Sequence, residues 1–206
     1  MDQLTFSIRP GERAGIVGEN GSGKSTLLRI IAGVDQPDDG EVTVSAAGGV
    51  GYLGQTLDLP GDHTVQQAVD AALAGLRALE RGIQRAAEAQ DLAAYGELLA
   101  AFEARDGYEA DARVDKAMHG LGLARIERSR RLSTLSGGEQ ARLGLACVLA
   151  ASPEILLLDE PTNHLSLALV EELEQALRDY RGTLVVVTHD RALRRRFTGK
   201  EISLPC

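Results

Sequence analysis

Residues 18–25, with the sequence GENGSGKS, restrict the fold of this chain more than any other feature. They follow a short apolar run and precede leucines and isoleucines at helical spacing, which is a strand–loop–helix setting. Glycines let the backbone curl until its N–H groups point at phosphate oxygens, and the helix adds the positive end of its dipole. Lys24 would reach the β- and γ-phosphates, and the Ser25 hydroxyl would bind Mg²⁺. The expected phosphate-binding residues are Gly18, Glu19, Asn20, Gly21, Ser22, Gly23, Lys24, Ser25 and Thr26.

A second feature is a pair of acids that follows an apolar run at residues 155–158. Such a run predicts a buried strand, and ligands of parallel α/β sheets bind at the carboxyl ends of the strands. Asp159 would hold Mg²⁺ through water, and Glu160 would polarise the attacking water as a general base. Many strands end in Asp, so the Asp-Glu pair indicates a catalytic site only because a phosphate loop lies upstream of it. Together the two motifs predict a nucleoside triphosphatase.

A third feature lies between these motifs, where residues 135–140 open a helix. Ser136 is a suitable helix cap, and the two glycines after it expose backbone N–H groups, so this is a second anion-binding helix terminus. A Ser-Gly-Gly sequence alone is commonly only a turn before a helix. Directly upstream of a strand that ends in Asp-Glu, however, the Ser-Gly-Gly sequence is a more specific indication of a nucleotide-binding site. The candidate nucleotide contacts here are Ser136, Gly137, Gly138, Glu139 and Gln140.

The alternation of apolar runs with helical patterns predicts an α/β fold with a P-loop NTPase core. We expect a mostly parallel sheet flanked by helices, with strands at 14–17, 49–53, 155–158 and 183–187 and helices at 136–150 and 167–177. Alternating residues at 4–8 and a short run at 41–45 predict additional N-terminal antiparallel strands. Residues 61–131 show helical periodicity, so we expect a helical subdomain with a candidate arm extension, inserted into a core of residues 1–60 and 132–206.

Composition limits the partners of the chain. The net charge of −8 and the isoelectric point near 5.1 argue against a broad nucleic-acid surface. Arginine-rich segments at 125–131 and 191–196 could form local basic patches, although a solvated surface is the more common role. Cys147 and Cys206 are too few for a disulfide framework, and Cys147 lies in an apolar stretch as a core residue. A reducing cytoplasm fits best, and we find neither a signal peptide nor an apolar run of membrane-spanning length.

With these motifs in place, the sequence resembles the ABC ATPase family over nearly its whole length, and residues 135–140 are similar to the signature motif of that family. The resemblance implies that Gln55 is the glutamine that senses Mg²⁺ and the γ-phosphate. It also implies that His189 is the switch histidine that contacts the γ-phosphate and the general base. Two such domains would pack head to tail, each ATP lying between residues 18–26 of one domain and 136–138 of the other.

Residues 161–165, with the sequence PTNHL, resemble the ABC-F branch of the family, cytoplasmic twin-domain ATPases that act on ribosomes and include antibiotic-resistance proteins. The alternative is the ATP-binding subunit of a membrane transporter, whose partner would be a transmembrane permease. Ser166 stands where the branch usually has Asp. The strand and adenine-stacking aromatic residue that usually precede the phosphate loop are missing, so we expect a fragment of a longer protein. Residues 75–118 hold more acids than bases, which does not support direct rRNA contact.

Overall fold

The computed structural model describes residues 4–46, 48–54, 59–163 and 165–204, so Gln55, His164 and Cys206 lie outside the described residues. Within the described part, five strands form one sheet in the order β2-β3-β4-β1-β5, and every pairing is parallel. The predicted α/β fold with a parallel sheet is confirmed. The strands are β1 (Arg13–Val17), β2 (Val50–Leu53), β3 (Ile155–Asp159), β4 (Thr183–Val187) and β5 (Lys200–Ser203).

The helices cover both faces of this sheet. They are α1 (Lys24–Ile31), α2 (Val65–Ala72), α3 (Ala74–Glu88), α4 (Leu92–Glu103), α5 (Ala110–Gly120), α6 (Gly137–Ala151), α7 (Leu167–Asp179) and α8 (Arg191–Arg196). Along β3, Leu156 and Leu158 join the core that contains α6 and α7, whereas Leu157 joins the core that contains α1. Because successive side chains point to opposite faces, a strand covered on both sides needs a continuous apolar sequence.

The N-terminal antiparallel strands that we expected do not occur in the described residues. Segments 4–8 and 41–45 have no regular secondary structure, and Val42 and Val44 remain 43% and 39% exposed. Alternation predicts a half-buried extended segment but not a hydrogen-bonding neighbour, and a strand needs that neighbour. The sequence reasoning missed β5, in which Ile202 is buried among mostly exposed polar neighbours.

Helices α2 to α5 occupy the region between β2 and α6. Helices α3 and α4 pack mainly against each other as a helical hairpin, with Leu76 and Phe102 buried. Leu92, an apolar residue at the start of α4, is 84% exposed. Arg113 of α5 donates hydrogen bonds to the carbonyls of Ala150 and Asp106, which ties the base of the hairpin to the end of α6. The division into core and helical subdomain stays a proposal.

Two further expectations concern Cys147, which lies in α6, and membrane-spanning helices. Cys147 is buried in α6, and burial raises the pKa of its thiol to about 12, so it remains protonated at neutral pH. In the described ranges, every helix is too short or too polar to cross a lipid bilayer.

Candidate functional site

The phosphate loop leaves the carboxyl end of β1 and enters α1 through left-handed glycines. Gly21 has φ 84° and Gly23 has φ 87°, conformations that L side chains rarely adopt. A Cβ on Gly18 would lie 2.5 Å from Ser22 Oγ and 3.3 Å from Leu204 Cβ, so a side chain there would force Ser22 to move. Gly23 is the N-cap residue of α1 and provides no side-chain cap. The N–H groups of the first turn of α1 are therefore left for an anion.

Lys24 lies folded over its own loop. Its side chain is nearly buried, and Nζ donates to the carbonyls of Gly18 at 3.0 Å and Glu19 at 2.6 Å. An ammonium group has three donors, so the loop uses two and leaves one. The loop carbonyls thus hold the charge of Lys24 at the mouth of the glycine turn, where a phosphate oxygen would be its natural partner.

The strand register brings Asp159 to the edge of the sheet where the phosphate loop begins. Asp159 pairs with Val187 of β4, and Val187 pairs with Ile16 of β1. Two strand spacings separate the ends of β3 and β1, which is about 10 Å. Asp159 is 2% exposed, and its Oδ1 has no hydrogen-bond partner among the described residues. An orphaned buried carboxylate oxygen is suited to a cation or to water bound to one.

Glu160 and His189 lie side by side beyond the ends of β3 and β4. The backbone N–H of His189 donates to Glu160 Oε2 at 3.1 Å, and His189 Nε2 lies 3.4 Å from Glu160 Oε1. The Glu160 side chain is only 9% exposed, whereas the His189 side chain is 53% exposed. Glu160 has φ 51°, a left-handed conformation that is uncommon for a residue with a side chain and often found at functional sites. A sheltered carboxylate next to an open imidazole can accept a proton from water at this edge.

The residues present fit Mg²⁺ bound together with a triphosphate. Ser25, in the first turn of α1, is half-buried, and Asp159 supplies one unsatisfied carboxylate oxygen. Within the described residues, no group of three or more His, Cys, Asp or Glu could hold a metal by itself. Mg²⁺ commonly uses one or two protein oxygens and takes the rest from phosphate and water, which matches this donor set.

Gln55 lies outside the described residues, but its neighbour Gly54 is described. Gly54 lines a small cavity together with Asp159, Glu160 and Asn163. Ala141 and Leu145 of α6 form another wall of that cavity. The chain therefore lies next to Asp159 and Glu160 at Gly54, immediately before the segment that contains Gln55.

The glycine-rich start of α6 is closed by its own side chains. Ser136 Oγ accepts from the N–H of Glu139, and Glu139 Oε2 accepts from both the N–H and the hydroxyl of Ser136 at 2.8 Å. The backbone N–H of Ser136 is the main reason why the pKa of the Glu139 carboxyl is lowered. The amide of Gln140 donates to the carbonyls of Leu132 and Leu135. The side chains of Glu139 and Gln140 therefore hold this loop in shape.

The start of α6 and the phosphate loop belong to different parts of the sheet. Helix α6 packs on β2, and β2 is three positions away from β1 in the sheet order. Three strand spacings amount to about 14 Å. The fold thus brings Asp159, Glu160 and His189 to the edge where the phosphate loop begins, and it packs α6 on the β2 side of the sheet.

The sequence reasoning did not pair two charged residues that meet between α7 and α8. Glu174 of α7 is buried, and Arg196 of α8 donates to it at 2.9 Å. Glu174 stands beside Leu173 and near Leu177 on the apolar face of α7, and an acid in such a face was the available signal.

Comparison with known proteins agrees with these motifs. The family model described as "ABC transporter" matches residues 1–163. The chain is 56% identical over 209 residues to the tylosin resistance ATP-binding protein TlrC of Streptomyces fradiae, covering 96% of this chain and 38% of that protein. It is 38% identical over 200 residues to the energy-dependent translational throttle protein EttA of Escherichia coli K12, covering 93% of this chain and 36% of that protein. The chain thus spans well under half the length of these relatives.

Solved structures give the same fold. An ATP-binding subunit of an ABC transporter matches with a TM-score of 0.74 at 20% identity, covering 98% of this chain and 78% of that chain. A dimeric, post-hydrolysis ATP-binding cassette bound to ADP and Pi matches with a TM-score of 0.65 at 28% identity, covering 97% and 83%. A chain in a model of ribosome-bound archaeal Pelota and ABCE1 also matches, with a TM-score of 0.64 at 27% identity, covering 95% of this chain and 28% of that chain.

Proposed function

This chain belongs to the ABC ATPase family, and from that membership we propose that it is one ATP-hydrolysing domain of an ABC-F protein that acts on ribosomes in the cytoplasm. ABC domains work as dimers or with a second domain, which leaves open where the second domain comes from. In this proposal residues 1–60 and 132–206 are the ATPase core and residues 61–131 the helical subdomain. The second domain is a further part of a longer chain or another copy of this one.

Each residue at the sheet edge has a role in this proposal. Lys24 and the backbone N–H groups of residues 18–26 bind the phosphates. Glu160 accepts the proton of the attacking water, and His189 orients Glu160 and contacts the γ-phosphate. The residues proposed to hold Mg²⁺ are Ser25, Gln55 and Asp159. Mg²⁺, when bound, neutralises charge on the β- and γ-phosphates.

The surroundings of Gly137 are the observation that supports an ATP site shared between two domains. A Cβ added there would meet nothing within 4 Å, and Gly137 is not among the glycines with positive φ. Nothing inside the domain therefore requires glycine at this first residue of α6. A close approach from outside the domain supplies such a requirement. In this proposal, the ATP of the second domain rests against residues 136–138.

The ribosome is proposed as the partner on the strength of two relatives. One is named for tylosin resistance and the other for throttling translation, and both match more than nine-tenths of this chain. The ABC transporter subunit matches at 20% identity, a likeness that extends to the fold alone. A role as the ATP-binding subunit of a membrane transporter is therefore kept as the alternative outcome of the experiment below.

The test is co-sedimentation of the complete protein with ribosomes and with membranes. Glu160→Gln is used because it should hold ATP without hydrolysing it. Glu172→Gln, an exposed acid on α7, is the matched control. We expect the Glu160→Gln protein to pellet with ribosomes in ATP and to stay in the supernatant without nucleotide. ATP-dependent recovery with membranes instead would replace the ribosome by a permease.

A further inference from the structure

We propose that Glu174 and Arg196 are positioning residues for ATP hydrolysis, because their ion pair holds His189 against Glu160. This inference rests on the proposed function, since it assigns a supporting role to groups behind the same site. The two residues lie on α7 and α8, and the sequence analysis gave Glu174 no role and placed Arg196 only in a candidate basic patch.

The ion pair joins two helices at a sheltered point. Arg196 Nη1 donates to Glu174 Oε2 at 2.9 Å, and Arg178 Nη1 lies 3.6 Å from the same oxygen. The Glu174 side chain is 4% exposed, whereas those of Arg196 and Arg178 are 57% and 53% exposed. The hydrogen bond to Glu174 is the main reason why the pKa of Arg196 is raised. Arg196 thus closes over a carboxylate that has very little access to water.

The topology gives this pair its connection to the chemistry. Strand β3 ends at Asp159, Glu160 follows it, and the chain then enters α7 at Leu167. Neighbouring strand β4 ends at Val187, His189 comes two residues later, and the chain then enters α8. Each member of the Glu160–His189 pair therefore lies shortly before a helix, and the Glu174–Arg196 pair joins these two helices, from the middle of α7 to the last residue of α8.

The described side chains of α8 make one other ion pair, between Arg194 and Glu201 at 3.7 Å, and it stabilises little because both groups are exposed. Helix α8 has six residues, and isolated helices of that length are unstable in water. Asp190 caps it through the N–H of Leu193, and Leu193 is its buried apolar anchor. With Arg196 detached from α7, Leu193 and the adjoining Phe197 still pack against the core, but the ionic link from the helix to α7 is lost and the loop that carries His189 is held less tightly.

The burial of the Glu174 carboxylate makes replacement of either charged residue by the neutral, polar Gln informative. Its Oε1 is buried and has no hydrogen-bond partner among the described residues, so the charge depends on the contacts of Oε2. Removing Arg196 leaves the buried charge with Arg178 alone, at 3.6 Å from Oε2, whereas neutralising both members of the pair removes the penalty of the weakly compensated charge. Arg196→Gln and Glu174→Gln/Arg196→Gln therefore differ in stability while both lack the ionic link.

The experiment measures steady-state ATP hydrolysis and ATP binding by the complete protein. We expect Arg196→Gln to lower kcat about tenfold, the scale at which supporting residues around reactive groups commonly act, and to change the Kd for ATP less than twofold. Arg196→Lys should recover part of kcat because it keeps the charge. Arg195→Gln, an exposed neighbour on α8, is the matched control and should keep wild-type kcat.

A double-mutant cycle separates positioning from general destabilisation. If Arg196 acts through His189, then Arg196→Gln lowers kcat no further in a His189→Ala protein. Multiplicative losses in that cycle would overturn the inference, as would an unchanged kcat in Arg196→Gln. A kcat that recovers fully in the double-neutral variant would also overturn it, since stability alone would then be the cause. Failure of the proposed function is distinct, because the wild-type protein would then not hydrolyse ATP.

Discussion

Helices α1 and α6 both begin in glycine-rich segments, yet their N-termini are capped in different ways. Helix α1 starts after the left-handed Gly23 and has no side-chain cap. Helix α6 starts after Ser136, and a reciprocal capping box with Glu139 satisfies its first donors. One helix end is left open inside the domain, and the other is closed and exposed at the surface.

The difference suggests how an ATP site can be divided between two molecules. An open terminus next to Lys24 can bind phosphate without help, because its donors and charge are already assembled in one loop. A self-capped terminus is stable before any ligand arrives and can be offered to a second domain. On this view α1 governs binding, and α6 governs the rate of hydrolysis after two domains meet.

The largest expected effect falls on the acid beside the open terminus. Glu160→Gln should lower kcat about 10²- to 10⁴-fold, the usual contribution of a general base. ATP binding should change little, because the carboxylate acts on water and matters mainly in the transition state. Single-turnover hydrolysis and a fluorescent ATP titration measure the two effects. Turnover equal to that of the Glu172→Gln control would remove Glu160 from this role.

The next effect tests whether α6 acts on a second molecule. Ser136→Arg places a bulky cation at the exposed start of α6 and should reduce hydrolysis on the order of a hundredfold, the effect of one lost transition-state donor. Wild-type specific activity should rise with protein concentration if the domains associate through this surface. The rise should disappear in the variant while ATP binding persists. Concentration-independent turnover by a monomer would contradict the divided site.

Sequence predicted the open terminus better than the closed one. The glycine spacing and lysine of residues 18–25 fixed a strand–loop–helix unit, because few other structures need that pattern. The capping box was half visible, since Ser136 was recognised as a cap but Glu139 was placed among nucleotide contacts. Sequence also missed the Glu174–Arg196 pair, whose members are 22 residues apart and meet only after α7 and α8 pack. Pairings that depend on tertiary packing leave no local pattern to read.

Binding itself should depend on the open terminus. Lys24→Ala removes a cation pointed at the phosphates, and charge-assisted hydrogen bonds contribute about 1.5–3 kcal/mol, so we expect ATP affinity to fall roughly 10- to 100-fold. A titration with a fluorescent ATP analogue measures this. Lys116→Ala, on α5 away from the loop, is the control and should bind like wild type. Equal affinities for the Lys24→Ala and Lys116→Ala proteins would show that the nucleotide binds elsewhere.

The smallest effect separates the structural role of the α6 cap from its role toward a second domain. Ser136→Ala removes the hydroxyl of the capping box and should lower stability by about 1 kcal/mol, or roughly 2–4 °C in Tm. Thr64 caps α2 through a matching box with Gln67, so Thr64→Ala should lower Tm by a similar amount. Hydrolysis should fall only in Ser136→Ala, because α2 begins at no proposed nucleotide contact. If both variants lost equal activity, the Ser136 hydroxyl would serve stability alone, and contact with the second ATP would depend on the backbone of Gly137 and Gly138.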